Sequence, residues 1–195
     1  FSERFLKDYL PHTIELGRSF VRLEYQTTRV GVKALYALDN LWDGLGALTV
    51  IYPDMRYLFG KVTMYPSYNA DCRNMILYFL TKHFPDPDRL VWPMTPLTTH
   101  MDNEAMRKLF IHDTFKDDYK ILNKAIRDHG YNIPPLVNAY MSLSPSMRMF
   151  GTAINDEFGN VEESGIFFVI DEIFEEKKGR HIGTFIPINP SPEDK

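Results

Sequence analysis

Cysteine is almost absent from this sequence, since Cys72 is the single one among 195 residues. A lone cysteine cannot form an internal disulfide bond, and chains without disulfides are typical of reducing compartments. We therefore expect a cytoplasmic protein in which Cys72 is a small apolar filler of the core.

Long apolar runs and an excess of positive charge are missing as well. The longest uncharged apolar stretch covers residues 44–52, whereas a membrane-spanning helix needs roughly 20 residues. The net charge is −4 and the isoelectric point is near 5.9, which argues against a nucleic-acid partner. Basic side chains outnumber acidic ones only locally, where Arg18, Arg22, Arg29 and Lys33 stand against Glu15 and Glu24.

The sequence does contain enough hydrophobic (44%) and aromatic (14%) residues to bury a core. Its clearest pattern covers residues 13–48: an apolar, strand-like run over 13–21, a loop of small and basic residues, and a helix with leucines at helical spacing. A strand that leads through a loop to a helix start aims free backbone N–H groups at an anion. We expect a pyrophosphate at this loop, near Gly31.

Two charged residues, Glu15 and Arg18, lie in the predicted strand. They would point to opposite faces of a regular strand, because successive side chains alternate. A β-bulge at Gly17 would bring both onto one face and splay the strand, leaving backbone groups free for an extended ligand. Alternatively, Glu15 pairs with a cation at the sheet edge and Arg18 is solvated, and the residues alone do not decide between the two.

The loop resembles the donor-binding loop of the GNAT superfamily of acyltransferases, Gln/Arg-x-x-Gly-x-Gly/Ala, in the residues Gln26-Thr27-Thr28-Arg29-Val30-Gly31. Arg29 replaces the first glycine of that loop. The residues before it are similar to the branch labelled hemolysin, which includes the N-acyltransferases of lyso-ornithine-lipid and glycine-lipid synthesis: Glu15-Leu16-Gly17-Arg18 and Tyr25-Gln26. A second block resembles the same branch, with Pro-Pro-Leu at 134–136, then Tyr140, Gly151 and residues 155–158.

The resemblance implies an α/β fold of the GNAT type, a mixed sheet with helices on both faces. Residues 1–195 would form the C-terminal portion of that domain, and its N-terminal half would be a partner. We expect a helical insertion at about residues 84–130, which either caps the acyl or acceptor pocket or is a peripheral helical pair.

The resemblance also implies a phosphopantetheine donor, either acyl carrier protein or acyl-coenzyme A, with no permanently bound cofactor and no metal. An acidic carrier protein suits the basic cluster of Arg22, Arg29 and Lys33, and Arg29 restricts the approach of coenzyme A phosphates to the backbone. The expected function is transfer of a (3-hydroxy)fatty acyl group to the amine of an amino acid in aminolipid synthesis, which also suggests peripheral contact with the membrane.

Each step of that reaction has a candidate residue. Glu15 would take the amine proton, directly or through a water, and backbone N–H groups near Ser19 and Phe20 would hold the oxyanion. Arg18 would bind the acceptor carboxylate or hold Glu15 in place. The donor loop would be formed by Gln26, Arg29 and Gly31.

Two further candidates each have an alternative structural role. Tyr78, on a helix predicted over 69–83, is either a general acid near the donor sulfur or a core tyrosine with its hydroxyl at the surface. Asp156 either orients the acceptor amine or caps a turn.

The remaining elements follow from apolar spacing and turn residues. A strand is predicted over 57–65, parallel to the first strand. After a proline-rich loop over 84–100, helices are predicted over 102–112, 117–129 and 134–140, then an antiparallel hairpin of 147–154 and 165–173. Residues 175–178 are interpreted as a solvated charge run, and the rest as a disordered or extended tail.

His83 with Asp88 and His112 with Asp117 both match a His-x4-Asp acyltransferase motif, and two matches in one chain show how little that motif specifies. The hemolysin label implies a lytic protein, which no basic amphipathic helix supports. Two alternative functions stay open: an acetyl-coenzyme A-dependent small-molecule acetyltransferase and a non-catalytic binding module of the same fold.

Overall fold

The computed structural model describes residues 1–17, 22, 37–183 and 185. The strands are β1 (Thr13–Leu16), β2 (Tyr57–Met64), β3 (Arg148–Asn155) and β4 (Val161–Val169). The helices are α1 (Ala37–Ile51), α2 (Ala70–His83), α3 (Asn103–Leu109), α4 (Phe115–Asp128), α5 (Pro135–Met141) and α6 (Glu175–His181). Short turns of π-helix (Phe5–Tyr9) and 3-10 helix (Leu10–His12) precede β1, and a 3-10 turn (Ile170–Glu172) follows β4.

The strands form one mixed sheet in the order β1-β2-β4-β3. β1 runs parallel to β2, with Thr13 opposite Tyr57 and Leu16 opposite Gly60. β4 lies between β2 and β3 and is antiparallel to both. Because a parallel pair needs a long crossover, the chain between β1 and β2 includes α1. The predicted fold class, a mixed α/β sheet with helices, is confirmed and is consistent with a GNAT-like acyltransferase fold.

The two faces of the sheet bury different clusters, because side chains alternate along each strand. On one face, Leu58 and Val62 of β2 pack with the helices in the main core. On the other face, Phe59 packs in an aromatic cluster with Phe5 and Phe167. The N-terminal segment, residues 1–12, supplies Phe5 and therefore covers the second face.

Side-chain caps define the starts of three helices. The Asn69 side chain accepts a hydrogen bond from the Cys72 N–H at 3.0 Å before α2. Asp102 and Thr114 accept in the same way before α3 and α4. Gly130, with φ of +79°, follows the end of α4, where the left-handed conformation favours glycine. Each of these bonds satisfies a backbone group that has no partner within its helix.

A β-bulge lies in β3, where the register with β4 shifts between Met149 and Thr152. Gly151 adopts φ of +93°, and a Cβ there would lie 2.9 Å from the Pro93 ring.

The described residues do not test the β-bulge predicted at Gly17. β1 ends at Leu16. Arg18, whose side chain the bulge would bring onto the same face as Glu15, lies outside the described residues, so that bulge stays a prediction.

The start of β4 was predicted too late, at residue 165 instead of Val161. The three polar residues in between, which the prediction left outside the strand, each have a partner that allows them to lie in the sheet. Glu162 pairs with Arg73, Glu163 with Lys61, and Ser164 with Thr152. Polar partners on neighbouring elements therefore outweighed the local pattern.

The interpretation of residues 175–178 as a solvated charge run is wrong in part. Glu175 and Glu176 are exposed, but the run begins α6, which packs against α1. Lys178 is held by the Asp171 carbonyl at 2.7 Å. The chain is helical through His181, so the tail predicted from residue 179 onward is wrong at residues 179–181, and residues 184 and 186–195 lie outside the described residues.

Candidate functional site

Glu15 lies at the carboxyl end of β1, opposite Phe59 of β2, and its side chain is exposed. Paired residues of neighbouring strands share a face, so Glu15 points to the face of the aromatic cluster. β1 ends one residue later, whereas β2 continues from Lys61 to Met64 without a partner on that side in the described part of the chain. Glu15 thus lies one residue before the point where the parallel pairing of β1 with β2 ends.

The partners predicted for Glu15 cannot be placed beside it. Arg18, with the Ser19 and Phe20 backbone, lies outside the described residues, and so does the donor loop with Gln26, Arg29 and Gly31. Their roles stay predictions.

Tyr78 lies on α2 and is half-buried. Its ring stacks on Phe110 at 5.8 Å and packs against the main core. Glu15 points to the opposite face of the sheet. The described residues therefore do not bring Tyr78 and Glu15 together, and the packing of Tyr78 agrees with the core role considered above.

Asp156 lies in the exposed turn between β3 and β4. Glu15 is level with Phe167 of β4, whereas the neighbour of Asp156, Asn155, pairs with Val161. Six residues along β4 and three strand spacings across the sheet separate the two backbones by about 25 Å. Asp156 and Glu15 do not contact one small acceptor together in this arrangement.

One residue of the second sequence block, Tyr140, contacts α1 on the main-core face of the sheet. Tyr140 of α5 contacts the Trp42 ring edge-on at 5.6 Å and the Phe168 ring at 5.5 Å. Burial raises the pKa of Tyr140 to about 12, so the phenol is neutral at physiological pH. Its described contacts join α1, α5 and the sheet.

A pocket that the sequence did not predict lies between α1, β2 and α6. It is open to solvent on one side, and its cavity volume is about 20 Å³, enough for about one water molecule. Its lining is mostly apolar, with two basic side chains from α6: Trp42, Leu45, Gly46, Thr49, Leu58, Leu143, Ile173, Lys177, His181 and Ile182. The pocket forms only when α6 packs against α1. The sequence did not predict that packing, because the charges of residues 175–178 indicated exposure to solvent.

His83 pairs with a different aspartate from the one that its sequence motif names. His83 Nε2 lies 2.9 Å from Asp118 Oδ2, while Asp88 pairs with Arg148. Burial alone would raise the pKa of the Asp118 carboxyl, but hydrogen bonds from Lys82, His83 and the His112 N–H hold it below its usual value. Asp118 is completely buried, which makes this cluster an internal link between α2 and α4.

Neither a metal site nor a membrane span is found within the described residues. No group of three or more histidine, cysteine or acidic side chains there could hold a metal ion. No described helix has the length and apolar character to cross a membrane.

Comparison with known proteins finds two similar curated proteins. No protein-family profile and no solved structure matches the chain. The chain is 68% identical over 190 residues to a curated protein of Bacteroides thetaiotaomicron and 65% identical over 190 residues to one of Phocaeicola vulgatus. Both are named glycine N(alpha)-acyltransferase.

Each of these alignments covers 97% of the chain. The chain spans about half the length of the two relatives, 56% and 58% respectively. The similarity supports the resemblance to N-acyltransferases that the sequence motifs indicate. It does not single out the ornithine-lipid branch.

Proposed function

We propose that this chain is part of an enzyme that transfers a fatty acyl group from a phosphopantetheine thioester to the α-amino group of glycine. The observation that carries the proposal is the 68% identity to a glycine N(alpha)-acyltransferase over 97% of the chain. The sheet adds a second support, because Glu15 is exposed at the carboxyl end of a strand whose neighbour continues past it.

In the proposed reaction, the glycine nitrogen attacks the thioester carbonyl and the C–S bond then breaks. Glu15 takes the proton that the amine loses, directly or through a water. The Arg18 guanidinium binds the glycine carboxylate by charge-assisted hydrogen bonds, and backbone N–H groups near Ser19 and Phe20 stabilise the oxyanion. The thiolate leaves on the phosphopantetheine arm, and the product is an N-acylglycine.

The donor in this proposal is a 3-hydroxyacyl group on acyl carrier protein, and the product enters aminolipid synthesis. An acidic carrier protein is favoured by the basic residues Arg22, Arg29 and Lys33, since complementary charge speeds encounter.

The test uses the intact protein with 3-hydroxyhexadecanoyl acyl carrier protein and a panel of amino acids, with products identified by mass spectrometry. We expect N-acylglycine as the main product. Glu15→Gln should lower kcat by about 10²- to 10⁴-fold, the usual contribution of a general base. Glu3→Gln is the matched control, because Glu3 is an exposed glutamate of the N-terminal segment.

Three results would count against the proposal. Unchanged turnover in Glu15→Gln would remove Glu15 from the reaction. Product formed only from acetyl-coenzyme A would indicate a small-molecule acetyltransferase. No N-acylated product with any donor would indicate a non-catalytic module.

A further inference from the structure

A row of three charged side chains crosses the sheet on the face to which Glu15 points. Glu15 of β1 is opposite Phe59 of β2, and Lys61 lies two residues further along β2, so both belong to the same face. Glu163 of β4 pairs with Thr63 and belongs to that face as well. The row therefore places a cation between two carboxylates on three neighbouring strands.

The row lies beside the aromatic cluster, and two of its members are accessible to solvent. The N-terminal segment covers this face at Phe59, whose ring contacts the rings of Phe1 and Phe5. Glu15 is exposed, and 48% of the Lys61 side chain is exposed. In the part of the chain that the structure describes, a small polar molecule can therefore reach both side chains.

Lys61 is held in place by Glu163 and keeps donors for a ligand. Its Nζ donates to Glu163 Oε2 at 2.7 Å, and the Glu163 side chain is only 15% exposed. An ammonium group carries three N–H donors, so the bond to Glu163 leaves donors for another acceptor on the exposed side. The pair thus fixes the position of a cation that can still bind an anion.

The separation of Glu15 and Lys61 suits a small α-amino acid. One strand spacing across the sheet and two residues along it put their Cα atoms roughly 8 Å apart. An amino acid between them would make a charge-assisted hydrogen bond of about 2.8 Å at each end, and only its α-carbon would lie between its two charged groups. Glycine, which has no side chain to place, fits between an acid and a cation at this distance.

We propose that Lys61 binds the carboxylate of the acceptor glycine while Glu15 receives the proton of its amine. This inference rests on the proposed function, which supplies the acceptor, and adds to it a residue that selects that acceptor. A carboxylate has two oxygens, so a bond from Lys61 leaves the other oxygen for Arg18. Glycine then lies with each charged end against a side chain of opposite sign.

The test compares glycine with glycinamide, which keeps the amine but lacks the carboxylate, as acceptors for the intact protein with 3-hydroxyhexadecanoyl acyl carrier protein. Lys61→Met should raise KM for glycine by about tenfold or more, the usual effect of losing a hydrogen bond to a charged group. It should leave KM for glycinamide unchanged, so the preference for glycine falls by the same factor. Lys61→Arg, which keeps a cation, should retain most of that preference.

Two further variants separate substrate binding from a purely structural ion pair. If Lys61 and Glu163 only stabilised the sheet, removal of either partner would have the same effect. Glu163→Gln keeps the cation and should therefore retain the preference for glycine that Lys61→Met loses. Lys116→Met removes an exposed lysine of α4 and should leave both KM values at the wild-type level. Circular dichroism verifies that each variant is folded.

Three outcomes would overturn the inference. These are an unchanged KM for glycine in Lys61→Met, equal changes of KM for glycine and glycinamide in that variant, and an equal loss of glycine preference in Glu163→Gln.

The proposed function fails on a different result, the absence of N-acylglycine from the wild-type protein. Equilibrium dialysis with radiolabelled glycine then tests the site without acyl transfer. Weaker glycine binding in Lys61→Met than in the wild type would support the inference. No glycine binding by the wild type, or equal affinity in the variant, would overturn it.

Discussion

At the scale of single residues, Asp118 shows how a buried charge is accommodated. Its completely buried carboxylate lies 2.7 Å from Lys82 Nζ and 2.9 Å from His83 Nε2, and accepts a bond from the His112 N–H at 3.1 Å. Removal of one partner from such a cluster leaves uncompensated groups inside the protein, which costs more than the loss of a surface ion pair.

We predict that Asp118→Asn destabilises the protein by about 3 kcal/mol, because Lys82 and His83 then lack a charged partner. Urea denaturation measures the change in the free energy of unfolding. The matched control is Asp117→Asn on the same helix, where an exposed carboxylate pairs with Lys120; it should change stability little. Equal losses of unfolding free energy in the two variants would show that the buried cluster contributes no more to stability than a surface ion pair.

The lowered pKa of Asp118 gives a pH dependence of defined sign. In the unfolded chain an aspartate titrates near pH 3.9, at about its usual value. The stabilisation from Asp118 is therefore fully present above about pH 5 and is lost as the pH falls through the unfolded value and then the lower folded-state pKa. Between about pH 5 and pH 2.5, we expect unfolding free energy to fall more steeply in the wild type than in Asp118→Asn. Parallel curves from urea titrations would contradict this.

At the scale of elements, α1 carries two glycines in opposite surroundings. Gly46 is buried where α6 crosses, and an added Cβ would strike the His181 backbone. Gly44 has nothing within 4 Å of such a Cβ. The same substitution at two positions of one helix therefore tests the docking of α6.

We predict that Gly46→Ala destabilises the protein by about 2 kcal/mol, since overpacked contacts must move apart. Gly44→Ala should instead stabilise it by about 0.5–1 kcal/mol, because alanine is the better helix former. Chemical denaturation of both variants gives the two values. A stabilising Gly46→Ala would mean that α6 does not dock here.

Elements with strong local signals could be predicted from the sequence. α2 follows the cap Asn69 and carries a periodic apolar face, and β2 is a run of aromatic and β-branched residues. α6 and the start of β4 could not be predicted in the same way. Their charged residues suggest solvent locally, and only distant partners, Arg73 for Glu162 and the α1 backbone for His181, explain their positions.

The candidate site was predictable to a smaller extent. The sequence placed Glu15 on a strand before a crossover, and the structure has it there. The pocket beneath α1 could not be anticipated, because its walls come from segments far apart in the chain that meet only after α6 docks. Spacing rules report neighbours along one element, whereas a pocket depends on contacts between elements.

At the scale of the whole molecule, the N-terminal segment is joined to the sheet through a layer of aromatic rings. Phe5 is completely buried and contacts Phe59, Phe150 and Phe167. The Ser2 N–H also donates to the Leu90 carbonyl at 2.8 Å. One face of the sheet thus depends on residues that precede its first strand.

We predict that Phe5→Ala lowers the free energy of unfolding by about 4 kcal/mol, the typical effect of removing a buried phenylalanine. Leu6→Ala is the matched control: the neighbouring Leu6 is 47% exposed, and its truncation should cost less than about 1 kcal/mol. Thermal and urea denaturation provide both values. A small effect of Phe5→Ala would mean that the segment does not contribute to the stable core.

The interior position of β4 has a consequence for biosynthesis. Tyr57 pairs with Val169 and Met64 with Glu162. One edge of β2 therefore has no hydrogen-bonding partner until β4, which is translated much later, has been made. β3 needs the same strand. A nascent chain that ends before Val161 therefore exposes two strand edges, which are prone to aggregate and are the kind of surface that chaperones protect. Completion of the sheet is thereby tied to the emergence of β4 from the ribosome.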